Sequence, residues 1–358
     1  MVVLPSSQVM AVHIEVKSVE SEEVKASVGS RKEVTALLQP PEPLTLARKS
    51  DVRKSMILII ATLLMETGKQ LSNFGLSRAN NGQYPVPSCL LVLFTELTKF
   101  TIVLTCAAVM GVSVARWRFS VRFCVPAVCY FVTNFLYLLS ITSVPPPIWM
   151  VLIQTRTLYT AASYRMMFGR EVTQTQVLGC VLVVGSIPLA RLAEINTSNT
   201  TITSAVLLNS QVCAVLSTAA SIAVEILLKN DERSFCEQQV WLYMCGSLLA
   251  TLALPLQTDV TTLPQLLESL LENHIMSVRV AAAVVSSALA GLCVPFIVKS
   301  LDSIAKDYLA ALNNLLLSVV TAAVFPLHFT ISWVFGVSLG VLLLGIWLYE
   351  RKFIFKEP

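Results

Sequence analysis

Charge is scarce in this chain. Only 13% of the 358 residues are Asp, Glu, Lys or Arg, against about 25% in an ordinary soluble domain, so a fold with a solvated surface on every side is excluded. Histidine is scarcer still. His13, His274 and His328 are scattered, and a histidine-based catalytic or metal cluster has no support. The nine cysteines lie mostly inside or at the ends of apolar stretches, odd in number and without a C-x-x-C pair. Neither a disulfide framework nor a zinc site is expected. A Walker loop, G-x-G-x-x-G and H-E-x-x-H are all absent, so no cofactor, metal or enzymatic activity is expected. Basic residues sit at the ends of apolar stretches rather than on one face, which argues against nucleic acid. No loop exceeds about 20 residues, so there is no place for the nucleotide-binding domain of an ATP-driven pump. Nor is there an identifiable filter or charged ring of an ion channel.

Apolar length is abundant. Hydrophobic residues make up 55% of the chain and mean hydropathy is +0.70. A bilayer core of ~30 Å takes roughly 20 residues of helix. Stretches of that kind fall at 56–77, 88–111, 120–142, 147–168, 174–193, 203–228, 236–256, 277–298, 306–326 and 330–349. The expected fold is an all-α polytopic membrane protein with about ten transmembrane helices. Pro145-Pro-Pro147 and Pro326-Leu-His-Phe329 separate two pairs of neighbours into short hairpins. Residues 1–55 are polar, of mixed charge and without a packed core, as in Glu20-Ser-Glu-Glu-Val-Lys25, and read as a flexible cytosolic tail. Residues 56–350 form the membrane domain and 351–358 a short cytosolic C-terminal tail.

Alternate loops carry Arg116, Arg118 and Arg122; Arg165 and Arg170; Lys229 and Arg233; Lys299 and Lys306; and finally Arg351, Lys352 and Lys356. The opposite loops have only Arg78, Arg191 and Arg279. The positive-inside rule places both termini in the cytosol. Two acceptor sequons, at Asn196 and Asn199, fall on the opposite side, where glycosylation is a candidate.

Against this background the intramembrane charges stand out, because ionisable residues are costly in lipid and face partners or water-filled cavities. Glu66 with Lys69 and Glu96 with Lys99 are spaced i, i+3 and share a helix face. Each pair reads either as a self-neutralising packing element or as a gate between helices. Arg156 lies mid-segment with no acid in its own helix. Its planar fork suits phosphate; Glu225 or Glu96 from another helix would be the structural alternative. Lys299, at a helix end, reads in isolation as an interface residue. Tyr130, Thr133 and Asn134 form a polar cluster suited to a base or ribose, or to helix–helix hydrogen bonding.

Taken in order, Thr95-Glu-Leu-Thr-Lys99, Val125-Pro-Ala-Val-Cys-Tyr-Phe-Val-Thr-Asn134, Gln154-Thr-Arg156, Val224-Glu-Ile-Leu-Leu-Lys229, Tyr243 and Ala290-Gly-Leu before Ile297-Val-Lys-Ser-Leu-Asp-Ser-Ile-Ala-Lys306 resemble the nucleotide-sugar transporters, in the branch carrying CMP-sialic acid, UDP-galactose and UDP-N-acetylglucosamine. The resemblance covers residues 56–350. It implies two inverted five-helix halves around a central cavity, and exchange of a cytosolic nucleotide sugar for a lumenal nucleoside monophosphate across the Golgi membrane. It also implies nucleotide contacts from Tyr130 and Asn134, phosphate contacts from Arg156 and Lys299, and weaker candidates near base or sugar in Ser217 and Tyr243.

Five positions depart from the family pattern: Arg156 for lysine, Thr133 for glutamine, Ala223-Val224 for an aromatic pair, and Gln239 for asparagine. A cationic phosphate partner is kept while the surroundings of base and sugar change. The Gly-Ala-Leu-Asn-Lys motif of GDP-mannose carriers is only echoed by Ala310-Ala-Leu-Asn-Asn314, which disfavours GDP-sugars. The expectation is a Golgi antiporter for UDP-galactose or UDP-N-acetylglucosamine. Its rivals are a drug or metabolite exporter of the same fold and a transport-deficient partner of the glycosylation machinery. A homo-oligomer and a glycosyltransferase complex stand as candidate assemblies.

Overall fold

The computed structural model describes residues 49–112, 117, 118, 120–168, 174–195, 203–230, 233–300 and 303–354. Among them there is helix and turn and no strand. The helices are α1 (Lys49–Ala79), α2 (Ser88–Val109), α3 (Cys124–Ile141), α4 (Pro146–Ile153), α5 (Arg156–Phe168), α6 (Gln174–Ile195), α7 (Ser204–Asn230), α8 (Phe235–Ala253), α9 (Leu263–Glu272), α10 (His274–Ser300), α11 (Ser303–Val324) and α12 (Trp333–Ile354). Counting α4 with α5 and setting α9 aside leaves ten long segments, one for each apolar stretch. Five of these, Ser88–Val109, Val121–Ile141, Ser204–Leu228, Phe235–Leu256 and His274–Ile297, are long and apolar enough to cross a bilayer on their described residues alone. The chain is a polytopic membrane protein.

Two expectations need correction. The fourth stretch is not one helix: it stops at Ile153 and restarts at Arg156. At the break the Gln154 amide donates to Val151 O at 3.2 Å and the Thr157 amide to Gln154 O at 3.0 Å, three-residue steps that tighten the chain into turns. The long connection after α8 is not plain loop either, because it contains α9. Leu263, Leu266, Leu267 and Leu270 recur at helical spacing and pack against the core, while Glu268 and Glu272 lie off that stripe.

The segments pair in a pattern that repeats with an offset of five. The second packs on the seventh (α2 with α8) and the fifth on the tenth (α6 with α12). Second-on-eighth contact (α2 with α10) is matched by third-on-seventh (α3 with α8). An odd number of crossings reverses chain direction, so halves related by that offset run oppositely, the inverted arrangement found in many carriers.

The α6–α12 pair is drawn close by a glycine. A Cβ on Gly345 would fall 2.8 Å from the Gly179 carbonyl oxygen and 2.9 Å from the Val183 nitrogen. Ser338, buried within α12, donates its hydroxyl to Ser186 O of α6 at 2.8 Å. Gly336-Val-Ser-Leu-Gly340 has the spacing of a hydrolase nucleophile elbow, but its serine is mid-helix and committed to this contact, without the strand-to-helix turn such an elbow needs. Gly345→Ala is expected to cost about 1–3 kcal/mol through overpacking against backbone, seen as a melting midpoint several degrees lower in detergent. An unchanged midpoint would show that α12 can shift freely.

Much of the larger buried apolar cluster lies toward the end of the bundle away from the basic loops. Leu90, Leu91 and Val92 of α2, Leu138 and Ile141 of α3, and Ile148 to Ile153 of α4 are buried there with Phe74 of α1. Arg78, in the last turn of α1, lies at this end. Its guanidinium lies 4.7 Å from the Phe74 ring centroid and donates to Thr142 O at 3.1 Å. His328, in the α11–α12 connection, meets Phe74 edge-on at 6.0 Å. Desolvation, and then the charge of Arg78, lower the His328 pKa, which favours a neutral ring beside the cation.

Candidate functional site

A cavity offering about 180 Å³ to the centres of water-sized molecules lies midway along the bundle. Five of the six expected substrate contacts line it: Tyr130 and Asn134 from α3, Arg156 from α5, Ser217 from α7 and Tyr243 from α8. Residues 130 and 134 are one helical turn apart, so α3 presents both on one face. Lys299 falls in the last turn of α10, but its side chain lies outside the described residues, as do the sequon residues Asn196 and Asn199. Glu225 sits on α7 and does not line the cavity.

The turn at Gln154-Thr155 sets Arg156 where it is. Pro145 is extended and Pro146 and Pro147 open α4, which needs no amide donors there. Gln154, fully buried, donates Nε2 to Thr157 Oγ1 at 3.1 Å across the break. Arg156 then becomes the first residue of α5, and the amide end of a helix adds partial positive charge beside a guanidinium facing the cavity. Thr218 of α7 donates to Arg156 O at 3.2 Å and ties the restart to the neighbouring helix.

Both acid–base pairs form within their helices, and both also line this cavity. Lys69 lies 3.4 Å from Glu66, and its ammonium sits 5.2 Å from the Tyr137 ring centroid. Tyr137 in turn donates to Gln70 Oε1 at 2.8 Å, joining α1 to α3. The second pair is drier. Glu96 is 5% exposed and Lys99 6%, and the Lys99 ammonium lies 4.7 Å from the Tyr243 ring centroid. Two glycines make room for it: a Cβ on Gly246 would stand 3.1 Å from Glu96 Oε2, and one on Gly291 3.1 Å from Lys99 Cδ. Each pair thus forms as an ion pair within its own helix, and its placement on the lining leaves it in reach of a ligand.

Tyr243 Oη and Nδ2 of Asn313 on α11 are among the buried polar atoms of the lining without a protein hydrogen-bond partner among the described residues. Asn313 Oδ1 accepts from Thr67 Oγ1 at 2.8 Å, which fixes the amide so that it offers a donor. Such atoms cost about 1–3 kcal/mol when left unmatched, and a polar ligand can match them. Asn313, Gln70, Tyr137 and Gly246 were not singled out by sequence reasoning. The first three are polar residues within apolar helices, a signal that could have found them; an isolated helical glycine gives none.

The sequence model of the nucleotide-sugar transporter family matches residues 82–350. CMP-sialic acid transporter 2 of Oryza sativa subsp. indica is 25% identical over 218 residues, 59% of this chain and 58% of that protein. CMP-sialic acid transporter 4 of Arabidopsis thaliana is 26% identical over 221 residues, 60% of each. The chain thus spans about three-fifths of the length of these curated relatives. A crystal structure aligns with 82% of this chain and 96% of its own at a TM-score of 0.56 and 15% identity, a likeness of fold.

Proposed function

Because the chain belongs to the nucleotide-sugar transporter family, we propose that it is an antiporter of the Golgi membrane, importing a pyrimidine nucleotide sugar in exchange for the nucleoside monophosphate. The observation that supports this reading best is the convergence of Tyr130, Asn134, Arg156, Ser217 and Tyr243 on one cavity within the helix bundle. The guanidinium takes the phosphates, with Lys299 as its cationic companion at the basic end of α10. Tyr130 and Asn134 contact the nucleotide, and Ser217 and Tyr243 lie nearer sugar or base. Nucleotide sugar and monophosphate share phosphate and base, so one site serves both and exchange follows. Both termini face the cytosol in this reading, and the end that carries Arg78 faces the lumen.

UDP-galactose and UDP-N-acetylglucosamine are the proposed sugars. The names of the rice and Arabidopsis relatives favour CMP-sialic acid as the second reading. Purified protein in a thermal-shift panel of CMP, UMP, GMP and their sugars separates the two, since a ligand stabilises in proportion to ln(1 + [L]/Kd). UMP and UDP-sugars are expected to shift the midpoint most, and the same pair to exchange in loaded liposomes. A largest shift with CMP and CMP-sialic acid would replace the uridine assignment. Absence of exchange with every nucleotide sugar would reject transport and leave the exporter or trafficking-partner readings.

A further inference from the structure

Behind the central cavity lies a second, smaller chamber of about 50 Å³, bounded by α1, α2, α3 and α10. At roughly 10–15 Å³ of such space per water, it has room for about three to five waters, or one small anion. Its charges are sorted. Lys69 and Lys99 line both chambers, whereas Glu66 and Glu96 line only the central one. Each ammonium keeps its carboxylate on the central side, and the three N–H bonds of a lysine leave donors that can serve the other chamber. Neutral donors complete the wall. Asn73 Nδ2 donates to Ser287 Oγ at 2.9 Å, which leaves the Ser287 hydroxyl proton for a ligand.

The chamber is also displaced along the bundle. Asn73 lies in the last third of α1, Leu91 and Val92 in the first turns of α2, and Ala283 in the first half of α10. All four are nearer the Arg78 end than is the Arg156 cavity. We propose that this chamber is a second anion subsite, which receives the phosphate group of the nucleotide ligand as it passes from Arg156 toward the far end. The transit role rests on the exchange function proposed above; the anion site itself does not.

Ala283 is 1% exposed and lines only the second chamber, so Ala283→Leu fills it without touching the central cavity. Two readouts are taken on purified protein: stabilisation by inorganic phosphate, and nucleotide exchange in liposomes. In wild type, millimolar phosphate raises the melting midpoint. In Ala283→Leu the part of that rise not owed to the Arg156 contact is lost and exchange turnover falls about tenfold, while the UMP concentration for half-maximal exchange stays within about twofold. Loss of that part with unchanged turnover assigns the chamber to a free inorganic anion instead of the ligand's phosphate. Should Ala283→Leu not fold, the charge-neutral double variant Glu96→Gln/Lys99→Met removes one ammonium and is expected to lose the same part of the phosphate rise. A wild type that phosphate does not stabilise, or variants indistinguishable from wild type in both readouts, would overturn the site. If wild type exchanges no nucleotide, the proposed function fails and the phosphate readout still decides the chamber.

Discussion

Arg156→Ala is expected to lower nucleotide-sugar exchange about 10- to 100-fold at subsaturating substrate, the equivalent of one charge-assisted hydrogen bond to phosphate at about 1.5–3 kcal/mol. Arg156 is partly exposed, lines the cavity and opens α5, so its truncation empties a cationic corner without removing a core side chain. Arg156→Lys should recover most of the rate, because it restores charge though not the bidentate fork. Uridine provides the control. It has no phosphate, so its stabilisation of the protein should be equal in wild type and Arg156→Ala. If uridine binding falls as steeply as UMP binding, Arg156 supports the fold of the site and does not meet phosphate. If exchange is unaffected, the phosphate role is lost.

The ten segments were legible because bilayer thickness imposes one length on every crossing, and Pro145-Pro-Pro147 and Pro326 mark two tight hairpins in a way that local propensity alone could not. The break at Gln154-Thr155 was not legible, since neither proline nor glycine marks it. It is set by a buried amide bonding across the gap to Thr157, a tertiary commitment that hydropathy reads as uninterrupted helix. Helix α9 was missed for the opposite reason: a one-sided leucine stripe among polar residues falls below the hydropathy of a span, and only its moment reveals it. Within the site, Tyr130, Asn134 and Tyr243 were found through their order along the chain, and Arg156 through the cost of its charge in lipid. Asn313 and Gln70 went unnoticed because single amides in membrane helices most often serve as helix–helix contacts.

The glycines show where pattern reading ends and packing begins. Gly246 and Gly291 belong to α8 and α10, yet their meaning lies in α2, whose Glu96 and Lys99 occupy the space a side chain would take. Sequence spacing identified the pair; the fold shows that two other helices are shaped around it. The pair also backs Tyr243, so one feature links α2, α8 and α10 to the wall of the ligand cavity.

Lys99→Met should consequently be among the most damaging substitutions in the membrane domain. It strands the Glu96 carboxylate at 5% exposure, and an uncompensated buried charge costs about 3–5 kcal/mol. It also removes the cation from the Tyr243 ring. The double variant Glu96→Gln/Lys99→Met takes out both charges and should be markedly more stable than Lys99→Met alone, because a buried pair offsets little more than its own desolvation. The outer pair gives the comparison: Lys69 and Glu66 keep 19% and 24% of their side-chain surface exposed, so Lys69→Met leaves a partly hydrated carboxylate and should cost less. Melting midpoints of the single and double variants, read as a double-mutant cycle, test this ordering. If Lys99→Met is as stable as its double, Glu96 is not held as a charge by Lys99. The pair would then be a cavity feature open to water, and the link from α2 to Tyr243 would have to come from shape alone.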